Sequence, residues 1–319
     1  MTRASLLLAI VAYAFQVWPA GSAPPPRVVA SIKPVHSLVA AVMRGVADPL
    51  LLVRGGGSPH GYALKPSQAR ALAEADLIFW IGEGLEVFLR APLESLGAGA
   101  RVAALADSPG LRLLPLRLDV EWAEVSDDTA EGHAQGHAHG STDMHFWLDP
   151  ANAEAMTEAI LVELIGLDGE REDIYRENAA EVQRRLRLLD GELERRLAPI
   201  AEVPYLVFHD AFQYLETRYR LNALGSVSLG ADRPPGARRL ASLRRLVRDR
   251  RVRCVFAEPQ FEPRLLDAVI SGSAAGSGVL DPLGAAIADG PALYFDLMRF
   301  NAEALWRCLG EGSSAQQQP

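Results

Sequence analysis

At 319 residues, about half of them hydrophobic, the chain is long enough for two globular domains with buried cores. A formal net charge of −8 keeps such a chain dissolved and excludes nucleic acid as a natural partner.

Arg3, the apolar run 6–15 and the small residues Ala20-Gly21-Ser22-Ala23 read as a secretory signal peptide over residues 1–23. The run is too short for the ~20 residues that a membrane span needs. Cleavage near residue 23 would export the chain. No cysteine lies beside the apolar run, so no lipid anchor is expected. The two cysteines, Cys254 and Cys308, would meet an oxidising compartment and are expected to pair. That disulfide would pin the last helix to the strand 252–256, worth roughly 3–4 kcal/mol in the chain-entropy model.

Residues 28–32 form a short β-rich run, and a helix is expected over 35–43. The second run, 49–53, ends in Arg54-Gly55-Gly56-Gly57-Ser58-Pro59-His60, which has strong turn chemistry. Ser67 is expected to cap a helix reaching residue 75. Residues 77–81 are a wholly apolar strand, and 101–105 form another. Continuous apolar strands alternating with helices indicate a parallel sheet covered on both faces.

The stretch 119–139 differs. It is acidic, with Glu121, Glu124, Asp127, Asp128 and Glu131, and then carries His133, His137 and His139, three of the chain's seven histidines. Too little of it is apolar to offset ordering entropy, so a loop is expected over 121–140. Order resumes at 145–148. Asp149 is a good N-cap with Pro150 at the first helical position, and the helix should run to about residue 165. Residues 170–197 are charged and helix-forming, with an apolar stripe of Ile174, Val182, Leu186, Leu189, Leu193 and Leu197. At 1.5 Å per residue they span roughly 42 Å, longer than one small domain requires.

The β-loop-α pattern then restarts. Strand 205–208 ends at His209-Asp210. Segment 223–229 is extended, and 238–250 is a basic amphipathic helix. Strand 253–256 ends at Glu258-Pro259, strand 278–280 ends at Asp281-Pro282, and the last helix covers 291–309. The expected architecture is an α/β protein of two lobes, 24–167 and 200–319. Each is a mostly parallel four-stranded sheet flanked by helices, and one long rigid helix within 168–199 joins them.

Open parallel sheets bind ligands beyond the carboxyl ends of their strands. His60, His209 and Asp281 follow strands, and His145 enters its own short run. Three neutral imidazoles and a carboxylate would suit a tetrahedral zinc site. Spacing alone does not decide this, because no local zinc motif is present. His60 also suits a solvated turn, His145 a core position, His209 a helix cap and Asp281 an N-cap. His36, one turn into a helix, reads as structural. Gly82-Glu83-Gly84 is too sparse for a dinucleotide fingerprint, and Gly55-Gly56-Gly57 lacks the P-loop lysine. The arginines at 238, 239, 244, 245, 248, 250 and 251 read as a solvated helix face.

Six motifs in order resemble those of a known family. They are Ser31-Ile32-Lys33-Pro34, Ser58-Pro59-His60-Gly61-Tyr62-Ala63-Leu64-Lys65-Pro66-Ser67, His145-Phe146-Trp147-Leu148-Asp149-Pro150, Val207-Phe208-His209-Asp210-Ala211-Phe212, Phe256-Ala257-Glu258-Pro259-Gln260-Phe261 and Val279-Leu280-Asp281-Pro282-Leu283-Gly284. Over residues 28–310 the chain resembles the zinc-specific, ZnuA-like solute-binding proteins of ABC metal importers. The resemblance implies a periplasmic protein, expected to be a monomer, that captures Zn²⁺ between two lobes. It would deliver the ion to a permease and its ATPase, and would catalyse nothing. His60 and His145 would come from the first lobe, and His209 and the region of Asp281 from the second.

Manganese-binding relatives carry glutamate at the position of His209, so histidine here favours zinc, in keeping with imidazole's preference for that metal. Some zinc members use an acidic residue beside the first histidine, or a water. Here the neighbour is Pro59, so Asp281 is the expected fourth ligand, with water as the alternative. The shortened loop makes His133, His137 and His139 a weaker candidate for a second metal site. The competing readings are a manganese or iron importer component and a zinc hydrolase with Glu258 as its base.

Overall fold

Strands without a polar face must be covered on both sides, and parallel pairing meets that need. In the computed structural model, which describes residues 23–117, 122, 142–228, 235–261 and 264–310, the first half opens with β1 (Val28–Ala30), α1 (Lys33–Val42), β2 (Leu50–Leu51) and α2 (Pro66–Glu74). It continues with β3 (Leu77–Trp80), α3 (Arg90–Ser95) and β4 (Arg101–Ala104). A two-stranded antiparallel ladder of β5 (Leu114–Pro115) and β6 (Thr142–Asp143) follows, then α4 (Pro150–Leu167) and the long α5 (Glu172–Leu197). The second half runs β7 (Tyr205–Val207), α6 (Gln213–Tyr219), β8 (Ala223–Ser226), α7 (Ala237–Asp249), β9 (Cys254–Ala257), α8 (Arg264–Ile270), β10 (Gly276–Val279) and α9 (Leu293–Leu309). The signal peptide and the loop histidines His133, His137 and His139 lie outside the described residues.

The sheets have orders β2-β1-β3-β4 and β10-β9-β7-β8, and every neighbouring pair is parallel. In each, the first strand lies between the second and the third, so the two halves share one topology. Strand order reverses at the first strand, which opens a crevice at its carboxyl end. Side chains alternate along each strand. Val28 and Ala30 face one core and Val29 another, and Tyr205 and Val207 face away from Leu206 in the same manner.

The inner faces of the two sheets share a single core. It runs from Val28, Phe79 and Trp147 through Leu186, Leu189 and Leu193 to Tyr205, Phe256 and Met298. The layer that carries it consists of α1, α4, α5 and α9, packed on one another. Helix α5 has 26 residues and is about 39 Å long. Its buried stripe begins at Tyr175, which is 0% exposed, and not at the expected Ile174, which is 42% exposed. Tyr175 turns inward because its hydroxyl donates to the buried Asp168 at 2.7 Å, which also accepts from Arg171 at 2.8 Å.

One local expectation changes. Helix α2 starts at Pro66 and not after Ser67, because Lys65 N–H donates to Gln68 Oε1 at 2.8 Å and closes the first turn. The ordered stretch after the loop proves to be a 3₁₀ turn over residues 146–148, so His145 stands at a turn entrance. The Asp149 cap forms as expected, with Ala151 N–H donating to Asp149 Oδ1 at 2.9 Å.

Cys254 of β9 and Cys308 of α9 form a disulfide with Cα atoms 6.1 Å apart. Glycine is required beside it, since a Cβ on Gly278 would approach the Phe256 ring to 2.7 Å. The bridge closes a 54-residue separation. The double variant Cys254→Ser/Cys308→Ser is therefore expected to lose about 4 kcal/mol of stability, read from urea unfolding of the metal-free protein.

Candidate metal centre

Three histidines from distant parts of the chain meet at the mouth of the crevice. His60 sits in the glycine-rich turn after β2, where its N–H donates to Ser58 Oγ at 3.3 Å. His145 follows β6, and His209 follows β7. Their candidate ligand atoms all lie within 4.8 Å of one another. The ring centroids are 5.3 Å apart for His145 and His209, 5.4 Å for His60 and His145, and 5.9 Å for His60 and His209. The Nε2 atoms of His60 and His145 are 3.4 Å apart. Pro59, Phe261, Pro282 and Leu283 wall the cavity.

Two of the rings are aimed by buried carboxylates. Asp143 Oδ1 accepts from both the N–H and the Nδ1–H of His145, at 2.9 and 2.8 Å. Glu258 Oε1 does the same for His209, at 3.2 and 2.5 Å. A carboxylate on Nδ1 fixes the proton there and leaves the Nε2 lone pair for a metal. His209 Nε2 is buried with no hydrogen-bond partner, an orphaned acceptor that an ion would satisfy. Glu258 follows β9, the neighbour of β7, so adjacent strand ends bring the pair together.

Asp281 does not join this group. It is buried, and its carboxylate accepts backbone N–H groups from Leu283 at 3.0 Å, Gly284 at 2.9 Å and Ala285 at 2.6 Å. Its own N–H donates to Asn301 Oδ1 at 2.8 Å. The Asp-Pro turn after β10 thus uses the carboxylate as a cap, and Asp281 stands outside the histidine cluster. His36 is also elsewhere, with Nε2 3.0 Å from Pro49 O.

Electrostatics separate two of the histidines. Burial pushes His60 down to about 2, helped by the neighbouring His145 and His209. Burial also lowers His209, but the charge of Glu258 and its hydrogen bond prevail, and the imidazole ends above its ordinary 6.5.

Neither Asp143 nor an orienting role for Glu258, which the sequence suggests only as the base of a hydrolase, is among the sequence-based expectations. A signal for Asp143 was present, because a carboxylate two residues before a ligand histidine can reach that ring's Nδ1.

Two parallel α/β halves with converging imidazoles between them define a metal-binding protein of the two-lobed solute-binding class. The family model described as ZnuA, zinc-uptake complex component A periplasmic, matches residues 28–308, and the chain belongs to that family, the periplasmic zinc-binding proteins of ABC zinc importers. The high-affinity zinc uptake system protein ZnuA of Brucella suis biovar 1 is 41% identical over 306 residues, covering 89% of this chain and 92% of the relative. Its counterpart in Paracoccus denitrificans is 36% identical, covering 97% and 99%. A crystal structure of ZnuA superposes with a TM-score of 0.72 at 26% identity, covering 88% of this chain and 99% of that one. A zinc-bound ZnuA deletion mutant shares the fold, with a TM-score of 0.73 at 24% identity over 89% and 98%.

Glu258→Gln tests the orienting role. Removing the charge takes away what raises His209, so its titration midpoint, followed by NMR in metal-free protein, should fall. Zinc affinity should drop by roughly 10- to 100-fold.

Proposed function

We propose that His60, His145 and His209 bind Zn²⁺ through the nitrogens that face one another, and that a water completes a tetrahedral shell. The observation that carries this reading is the paired carboxylate support of His145 and His209, which presets both rings as nitrogen donors. A water as fourth ligand is favoured because the Asp281 carboxylate already accepts three backbone N–H groups.

Mature protein, freed of about its first 23 residues, takes up the ion in the periplasm and hands it to a membrane permease driven by its ATPase. One chain supplies all three imidazoles, which supports a site complete in a monomer. Three nitrogen donors favour zinc over manganese. Glu258 spends one carboxylate oxygen on His209, so it is placed to orient a ligand and not to activate water. This favours binding and release over hydrolysis.

Calorimetric titration of the mature protein should show one tight zinc site. His209→Ala should lose most of that affinity, and Mn²⁺ should compete poorly. Asp281→Asn should keep zinc affinity while lowering stability; a large loss of affinity would return Asp281 to the shell.

Protons compete with zinc only where an imidazole would otherwise be charged. His209 lies above 6.5, so apparent affinity should decline as pH falls through that region. His60, held near 2, adds no proton competition there. A pH series of competition titrations against a chelator measures this dependence.

A further inference from the structure

The short ladder of β5 and β6 has only two paired positions, Leu114 with Asp143 and Pro115 with Thr142. A two-stranded piece this small does not hold its own position in water. It nevertheless carries Asp143, the carboxylate that holds both N–H groups of His145. Something outside the ladder must therefore fix that histidine.

One anchor comes from the same half. Asn152 of α4 accepts from Arg112 N–H at 2.8 Å and donates to Arg112 O at 3.1 Å. It holds that segment where it enters the ladder, and its Nδ2 also donates to Phe146 O at 3.2 Å, one residue after His145.

The anchors on the ladder itself come from the other half. Tyr214 of α6 is buried, and its hydroxyl bridges the two strands. It accepts from Leu114 N–H at 2.9 Å and donates to Asp143 O at 2.6 Å. Two residues beyond β5, Arg117 Nε donates to Asp210 Oδ2 at 2.9 Å, and its Nη2 lies 2.7 Å from Glu216 Oε2. Trp122 covers the guanidinium, 3.4 Å from the ring centroid. Asp210 is the residue after His209, and Glu216 lies on α6 beside Tyr214. The ladder is thus seated on the segment that leads from His209 into α6.

We infer that Tyr214, together with Arg117, is a cross-cleft positioning device that sets His145 against His209, so that metal affinity depends on the Tyr214 hydroxyl. This rests on the reading that these histidines bind zinc. The link is short. Tyr214 holds the backbone of Asp143, Asp143 holds the His145 ring, and the helix bearing Tyr214 starts four residues after His209. Without the hydroxyl, Leu114 N–H and Asp143 O lose their partner, the ladder loosens, and His145 is no longer held at a fixed distance from His209. Neither Tyr214 nor Arg117 touches the metal.

Helix α6 contains its own control. Tyr219 is also buried, and its hydroxyl donates to Asp190 of α5 at 2.9 Å, away from the ladder. Tyr214→Phe and Tyr219→Phe each remove one hydroxyl from the same helix and keep the ring in the core.

The mature protein and both variants are titrated with Zn²⁺ against a chelator, and the visible spectrum of bound Co²⁺ is recorded. Tyr214→Phe should weaken zinc about tenfold and alter the Co²⁺ bands, as losses in the outer shell of a metal site do. Tyr219→Phe should lose comparable stability with zinc affinity and spectrum unchanged. Arg117→Lys, which keeps the charge but loses the guanidinium fork, should weaken zinc in the same direction, and it carries the test should Tyr214→Phe not fold. Wild-type affinity and spectrum in Tyr214→Phe, or an equal loss of affinity in Tyr219→Phe, overturn the inference. A wild-type protein without a tight zinc site overturns the metal reading itself, and the inference with it.

Discussion

The geometry of the cleft depends on one packed layer of helices. Helices α1, α4, α5 and α9 carry a core that belongs to both sheets, so the strand ends of one half are held at fixed positions relative to the other. Close-packed interiors shift between discrete arrangements and do not flex continuously. Direct bonds across the halves add to this. Trp147 Nε1–H donates to Pro282 O at 2.8 Å, and Tyr294 O–H donates to Trp147 O at 2.7 Å. The buried Lys33 reaches the other half at Ile287 O, 2.6 Å away, and Asp289, 3.1 Å away. Three imidazoles from separate segments can then stay within 4.8 Å without a loop having to fold around the ion.

On that frame, affinity is a matter of orientation. A free histidine samples two tautomers and several rotamers, and a metal would have to select among them. Asp143 and Glu258 remove that choice for two of the three histidines. Both carboxylates are buried, so their hydrogen bonds meet little competition from water. The His60 ring has no such carboxylate among the described residues, and it sits on a turn rich in glycine.

Much of this was legible in the sequence, and the rest was not for identifiable reasons. Fully apolar runs such as 77–81 signal buried parallel strands, because no exposed face would tolerate them. Asp149-Pro150 signals a helix start through capping chemistry that acts over two residues. His60 and His209 stand out by their placement after strands, and all three histidines by the motifs around them. Asp281 is ambiguous in the sequence because a carboxylate before proline at a strand end carries the same signal whether it caps a turn or binds an ion; the N–H groups at 283–285 that it accepts from become visible only in the fold. Ile174 and Tyr175 lie side by side, and periodicity cannot tell which one faces inward when a buried Asp168 is waiting for a hydroxyl. The shared core is invisible to any local pattern, since it joins residues hundreds of positions apart.

That last feature bears on how the chain reaches its native state. Tyr294 N–H donates to Ser37 Oγ at 2.9 Å, across a separation of 257 residues. Helix α1 follows the first strand, yet one of its packing partners, α9, is the last element of the described chain. The opening segment therefore cannot bury its apolar surface fully until the final helix has been synthesised and has docked, and contacts this distant in sequence form slowly. In a family of periplasmic proteins such late closure suits passage across a membrane, because the packing that closes the molecule needs both α1 and α9.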